Sequence, residues 1–291
     1  MMPFALAATL LLSAAPERAP KRPDSMITPA AEAGIERGLA WLASRQQEDG
    51  SFGTGPMRGN PAVCGLAGLA LIAAGNAPAR GPYGGNVSRC VEYLLKQSQP
   101  GGFIVAPGQP THGPMYGHGF ATLFLAECHG MAPQDALRDR LAAAVNIIVS
   151  SQNEQGGWRY YPEKRDADVS VTVCQVMALR AAHNAGVHVP KETVDRAIAY
   201  LKKAQNPDGG FLYMIEMGGE SAFPRSAAAV VAFFSAGIYE GPVVSKGLEY
   251  LVTAADDQRA AFYDAYYEYA QYYAALAMWQ AGDEYWKNWY P

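Results

Sequence analysis

The chain has 291 residues, of which 49% are hydrophobic, and a net charge of −4 from 23 Lys and Arg against 27 Asp and Glu. That length allows one large domain or two small ones with a real core. Glycine (30) and proline (20) are in excess, but 11% aromatic residues exclude a disordered or collagen-like chain, and the acidic balance offers no footprint for nucleic acid or an anionic membrane.

In chain order, the first element is an apolar run from Phe4 to Ala15. It is too short to span a bilayer but matches the apolar part of an export signal, with small Ser13 and Ala15 ahead of a cut after residue 15. The absence of Lys or Arg before it and Pro16 after the cut depart from that pattern. The reading is a signal peptide over 1–15, a linker over 16–29 and one folded domain over 30–291, exported, with no transmembrane segment.

From there the chain repeats itself. Five segments align, starting near residues 39, 91, 145, 198 and 248, and their bulky positions Trp41, Tyr93, Ile147, Tyr200 and Tyr250 lie 52, 54, 53 and 50 residues apart. Four copies end in Gly-x-(Phe/Trp): Gly50/Phe52, Gly101/Phe103, Gly156/Trp158 and Gly209/Phe211. A fixed period of this size marks a repeat architecture. Each unit opens with an amphipathic helix, such as 191–205, which a Gly turn ends. A second helix follows that is apolar nearly all round: 62–74, 119–128, 169–182 and 226–236. Such a helix is buried, so each repeat supplies one outer and one inner helix. Small Gly65, Ala67, Gly68 and Ala70 let inner helices approach, and 283–290 begins one more outer helix. The predicted class is all-α, a toroid of five to six outer/inner pairs around a central cavity. A closed ring is favoured over an open solenoid, since neither end has a polar capping repeat.

Cys64, Cys90, Cys128 and Cys174 form no Cys-x-x-Cys pair and fall in helix-like segments, which reads as buried apolar thiols; export would permit a disulfide, with the pairing open. The inner-helix starts carry the polar residues that could line a cavity: His118 after Tyr116; Asp166 and Asp168 before Ser170 and Thr172; Arg225; and Asp264, Tyr266, Glu268, Tyr269 and Tyr272. Asp168 is either a helix cap or a catalytic acid. His118 is either structural or a base or ligand. The tyrosine cluster at 263–273 is either an aromatic wall for a ligand or the contact that closes the ring. His118 and Cys128, ten residues apart on one helix, are too far apart to share a zinc ion, which leaves only a two-residue site from His118 and an Asp across the cavity.

The Gln-x(3–4)-Gly-x-(Trp/Phe) element at this period resembles the QW motif of squalene–hopene and related triterpene cyclases, and the repeats of protein prenyltransferase β subunits. The likeness spans roughly 30–290, and segments such as 115–127, 168–182 and 269–290 resemble exported squalene-cyclase-like bacterial proteins without an assigned reaction. It implies an α/α toroid. Class II cyclases protonate substrate with the middle Asp of Asp-x-Asp-Asp-Thr-Ala. Anchored on Thr172, the matching stretch reads Asp168-Val169-Ser170-Val171-Thr172-Val173, which puts Ser170 where the acid belongs; shifted by two residues it reads Asp166-Ala167-Asp168-Val169, which restores the acid at Asp168 but loses the Thr match. The prenyltransferase zinc ligands are also degenerate: the Asp-x-Cys pair reads Thr172-Val173-Cys174 and the later His segment reads Tyr269-Ala270-Gln271-Tyr272. No metal or cofactor is expected. The expected function is binding of an apolar or isoprenoid-like small molecule in the central cavity, with any catalysis falling to Asp168 and His118. The alternatives are a non-enzymatic interaction scaffold and a polysaccharide lyase or hydrolase.

Overall fold

In the computed structural model the described residues are 27–106, 108, 113–260 and 266–290, with no side-chain description for 256–260. The expected leader over 1–15, and with it His112 and Asp264, lies outside them. The regular elements among the described residues are helices, accompanied by isolated bridges in the turns. Outer helices α1 (Pro29–Ser44), α3 (Gly84–Gln97), α5 (Asp135–Ser151), α7 (Lys191–Lys203) and α9 (Pro242–Ala260) alternate with inner helices α2 (Pro61–Ala73), α4 (Pro114–Met131), α6 (Val169–Asn184), α8 (Phe223–Ser235) and α10 (Tyr267–Ala281). A short α11 (Asp283–Trp289) follows.

Burial follows the expected two-layer pattern. α3 hides one face, through Val87, Cys90, Val91, Tyr93 and Leu94, whereas α4 and α6 are buried along nearly their whole length. Inner helices pack on one another in chain order, α2 on α4, α4 on α6, α6 on α8 and α8 on α10. α2 and α4 approach closely at two glycines: a Cβ on Gly65 would stand 2.7 Å from the Phe120 carbonyl oxygen, and one on Gly68 would strike the Phe124 ring. Among the described residues α10 and α2 do not pack side by side as the other neighbours do. At this seam of the toroid they border one cavity. All four cysteines are buried free thiols.

The repeat motif is a joint between successive outer helices. Gln152 Nε2 donates to the Gly156 carbonyl in its own turn and to the Thr193 carbonyl at the start of α7, both at 2.8 Å. Gln46 bonds Gly50 and Asn86 in the same way, and Gln205 bonds Gly209 and Val243. The glycine has φ near +90° and lies against the next outer helix: a Cβ on Gly50, Gly156 or Gly209 would meet a carbonyl oxygen at 2.3 Å, from Arg89, Arg196 and Lys246 respectively. Only glycine satisfies both demands.

The second repeat departs from the aligned motif by one residue. Gly102, with φ +93° and Ala143 oxygen 2.5 Å from its would-be Cβ, holds the position read as Gly101. Ile104 therefore stands where the others have Phe52, Trp158 and Phe211. The outer-helix tyrosines reach back one repeat. Tyr93 Oη donates to the Gly59 carbonyl at 2.6 Å and Tyr200 Oη to the Ala167 carbonyl at 2.9 Å, bracing the loops that enter α2 and α6. Trp41, at the corresponding position of the first repeat, is 59% exposed.

Candidate functional site: a cavity at the inner-helix starts

The starts of all five inner helices, with described residues of the loops entering them, line a cavity of about 660 Å³. Its wall is mostly apolar and aromatic. Pro61 and Ala62 come from α2, Tyr116, Gly117 and Phe120 from α4, Ser170 from α6, Pro224 and Arg225 from α8, and Tyr269 from α10; Ile104, Val105, Tyr160, Tyr213 and Tyr266 add loop and rim positions. Five of the sequence-derived candidates therefore meet here: Tyr116, Ser170, Arg225, Tyr266 and Tyr269.

His118 and Thr172 lie elsewhere, for a reason the repeats make plain. The backbone N–H of the residue after each Gly turn donates to one side chain on the following inner helix. Phe52 donates to Cys64 Sγ (3.2 Å), Ile104 to His118 Nδ1 (3.1 Å), Trp158 to Thr172 Oγ1 (3.1 Å) and Phe211 to Ser226 Oγ (2.8 Å). These four side chains are equivalent pegs that hold the turn to the inner helix. His118 is fully buried, and its Nε2 donates to the Ala144 carbonyl at 3.0 Å. Accepting through Nδ1 fixes the Nε2–H tautomer. Burial, against the Ala144 bond, brings its pKa down to about 4. Both nitrogens are committed to backbone away from the cavity wall, which is the geometry of a strut and corrects the expectation of a base.

Asp168 combines two of its expected features. It caps α6, its Oδ1 accepting from Val171 N–H at 2.8 Å. It is fully buried, and burial, opposed by that hydrogen bond and by the Arg159 charge, pushes its pKa up to about 6. Its Oδ2 lies 3.2 Å from Arg159 Nε, a contact of charges without hydrogen-bond alignment. Asp166, half exposed, takes Arg159 Nη1 at 2.7 Å. The Arg159 guanidinium in turn lies 4.5 Å from the Tyr160 ring centre and 5.6 Å from that of Tyr213, whose hydroxyls share a 2.6 Å hydrogen bond. Backbone bonds fix this pair further, Met115 N–H to the Tyr160 carbonyl and Val169 N–H to the Tyr213 carbonyl, both at 3.0 Å. Asp168 is thus set behind the wall, beside Arg159, which itself contacts the rings of two wall tyrosines.

The remaining candidates divide. Tyr269 has a buried hydroxyl beside Ser170, and its ring lies 4.7 Å from that of Tyr273. Burial raises Tyr116 and Tyr269 far above the ordinary phenol range, and Tyr272 to about 12. Tyr272 packs edge-on against Tyr273 and Glu268 is exposed; neither lines the cavity. Tyr160 and Tyr213 reach the wall from loops rather than from inner-helix starts. Each stands two residues after the turn residue Trp158 or Phe211, a regularity readable from the repeats. Among the described residues no three His, Cys, Asp or Glu side chains are grouped to hold a metal ion. Cys174, where the prenyltransferase-like ligand would fall, is buried with its Sγ 3.9 Å from the Tyr116 carbonyl, so these residues do not fit that zinc site.

The family model of the prenyltransferase α/α-toroid domain matches residues 21–104 and 85–254. The chain belongs to this family. Relatives vary in how much of it they share. A drimenyl diphosphate synthase from Streptantibioticus cattleyicolor is 35% identical over 91 residues, which is 31% of this toroid but only 16% of that protein. The type II terpene cyclase MstE from Scytonema, a variant solved with its substrate geranylgeranyl dihydroxybenzoate, superposes with a TM-score of 0.53 at 16% identity, covering 79% of this chain and 64% of that one. The second likeness is one of fold.

Proposed function

We propose that this toroid binds an apolar, isoprenoid-like small molecule in the cavity at its inner-helix starts. The observation that carries the reading is the cavity itself: about 660 Å³, walled by aliphatic and aromatic side chains with a few hydroxyls among them. That is the size and character of a small-molecule site. The cyclase of similar fold, which holds a geranylgeranyl compound, adds support. A scaffold with a centre filled by side chains fits this volume poorly. A sugar-cleaving site needs paired carboxylates in the cleft, and among the described residues no Asp or Glu lines the wall. The reading is one of binding: in the register anchored on Thr172, Ser170 takes the acid's position, and Asp168, the acid of the shifted register, does not line the cavity.

The test is thermal denaturation of the full chain with farnesol, geranylgeraniol or a cello-oligosaccharide. An isoprenol at about 100 times its Kd should add roughly 2.7 kcal/mol of stability. The sugar should add none, and Ser170→Phe, which fills the cavity, should abolish the shift. Equal shifts with sugar, or none with any isoprenol, contradict the reading. Export remains part of the proposal, supported by the apolar run Phe4–Ala15. Amino-terminal sequencing of protein from its own host should begin at Pro16, and an intact Met1 would refute a cleaved leader.

A further inference from the structure

A second cleft, of about 360 Å³, lies at the other end of the inner helices, between the last turns of α6 and α8 and the first turns of α7. Ser170 lines the first cavity and His183 the second, and the thirteen residues between them on α6 separate the two by about 20 Å along its axis. The cleft opens because α7 lies less closely against α6 than α3, α5 and α9 lie against the inner helices before them. On α5, Leu137 and Leu141 are buried in that layer. The aligned residues in the fourth repeat are Pro190 and Val194, which are smaller and only half-buried. The gap has an apolar floor of Val176, Leu179, Val194 and Ala236.

Its mouth is cationic. Arg180 and His183, one turn apart on α6, stand on one side and Lys191 on the other. Among the described residues neither Arg180 nor His183 is in an ion pair, and neither their side chains nor the half-buried Ser235 hydroxyl beside them has a hydrogen-bond partner. Asp195, the acid among the described lining residues, is already taken: both its oxygens lie 2.7 Å from Lys191 Nζ. Polar groups that the fold does not use thus converge at the mouth of an apolar pocket, which is the makeup of a small-molecule site. A guanidinium fork takes a carboxylate through two parallel hydrogen bonds, whereas a cationic ligand would meet Arg180 and find Asp195 occupied. We propose that this cleft is a second binding site, for a small carboxylate with a compact apolar body. The body lies against Val176, Leu179 and Val194, and the carboxylate sits on Arg180 with His183 and Ser235 beside it. The site is separate from the isoprenoid-type cavity and does not depend on it.

The experiment is equilibrium dialysis of the full chain with para-tert-butylbenzoate and its uncharged counterpart, para-tert-butylbenzamide. The wild type should bind the benzoate about ten-fold more tightly than the amide. Arg180→Gln should bring the benzoate down to the affinity of the amide. Val194→Phe, which fills the cleft, should remove both, while Ser170→Phe, which fills the other cavity, should leave both unchanged. Circular dichroism reports the folding of each variant, and Ala236→Leu serves if Val194→Phe does not fold. Equal affinity for benzoate and amide, or a preference that survives Arg180→Gln, overturns the choice of ligand. Binding that survives filling of the cleft, or that is lost in Ser170→Phe, puts the probe elsewhere and overturns the site. No binding of either probe overturns it as well.

Discussion

Cys64, His118, Thr172 and Ser226 do one job in four repeats: each accepts the backbone N–H that follows a Gly turn. Losing that acceptor leaves a buried donor unmet, at a cost of about 1–3 kcal/mol. Thr172→Val should therefore lower unfolding free energy by that amount and leave isoprenol affinity nearly unchanged, as read by denaturant titration and dialysis. The histidine version adds pH dependence. Its pKa is about 4 when folded and 6.5 in the unfolded chain, so the unfolded state binds the extra proton between those values. Its contribution is present above pH 6.5 and is lost as pH falls toward 4. Asp168 has the opposite sign. Its folded pKa of about 6 lies above the model-peptide 3.8, so its contribution is present at low pH and is lost as pH rises through 6. His118→Gln should destabilise at pH 7, and its gap from wild type should shrink by roughly 3 kcal/mol on going to pH 4. A constant gap would mean that His118 titrates normally. At this scale the sequence marked polar residues at helix starts but could not sort them. His118 and Tyr116 are two residues apart, and only helical rotation sends one to the core joint and the other to the cavity.

The element scale was the most legible. Helix alternation follows from period and polarity, because an amphipathic segment must face a layer and a wholly apolar one must lie inside it. The function of the motif residues was harder to read, since Gln152 and Gly156 make their decisive contacts with α7, some 40 residues on. The second repeat, with Gly-Gly before Phe103, offered two registers. The structure chooses Gly102 because that glycine takes the left-handed turn against α5. Two substitutions separate the parts of the joint. Gly156→Ala adds a Cβ at positive φ against the Arg196 carbonyl and should cost about 3 kcal/mol or more. Gln152→Ala should cost about 1–3 kcal/mol by unbinding two carbonyls. Calorimetric melting reads both, and a Gly156→Ala protein as stable as wild type would refute the close-packed turn.

At the scale of the molecule, five inner helices bring their starts together around one cavity, and that convergence is what no single repeat announces. The toroid class was readable from the repeat and the QW-type motif. The composition of the cavity wall was only half readable, because Tyr160, Tyr213 and Ile104 come from loops whose path depends on the Arg159 contacts and the turn joints. The seam is a property of the whole as well: α10 and α2 border the cavity together, so Tyr266 and Tyr269 serve it as wall and rim. Photocrosslinking tests whether that cavity is a ligand site. A farnesol analogue bearing a diazirine, photolysed with the full chain and mapped by peptide mass spectrometry, should label Tyr116, Phe120, Tyr160, Tyr213 or Tyr269, and excess farnesol should suppress the labelling. Labelling confined to outer-surface positions such as Trp41 on α1, or labelling that farnesol does not compete, would contradict it.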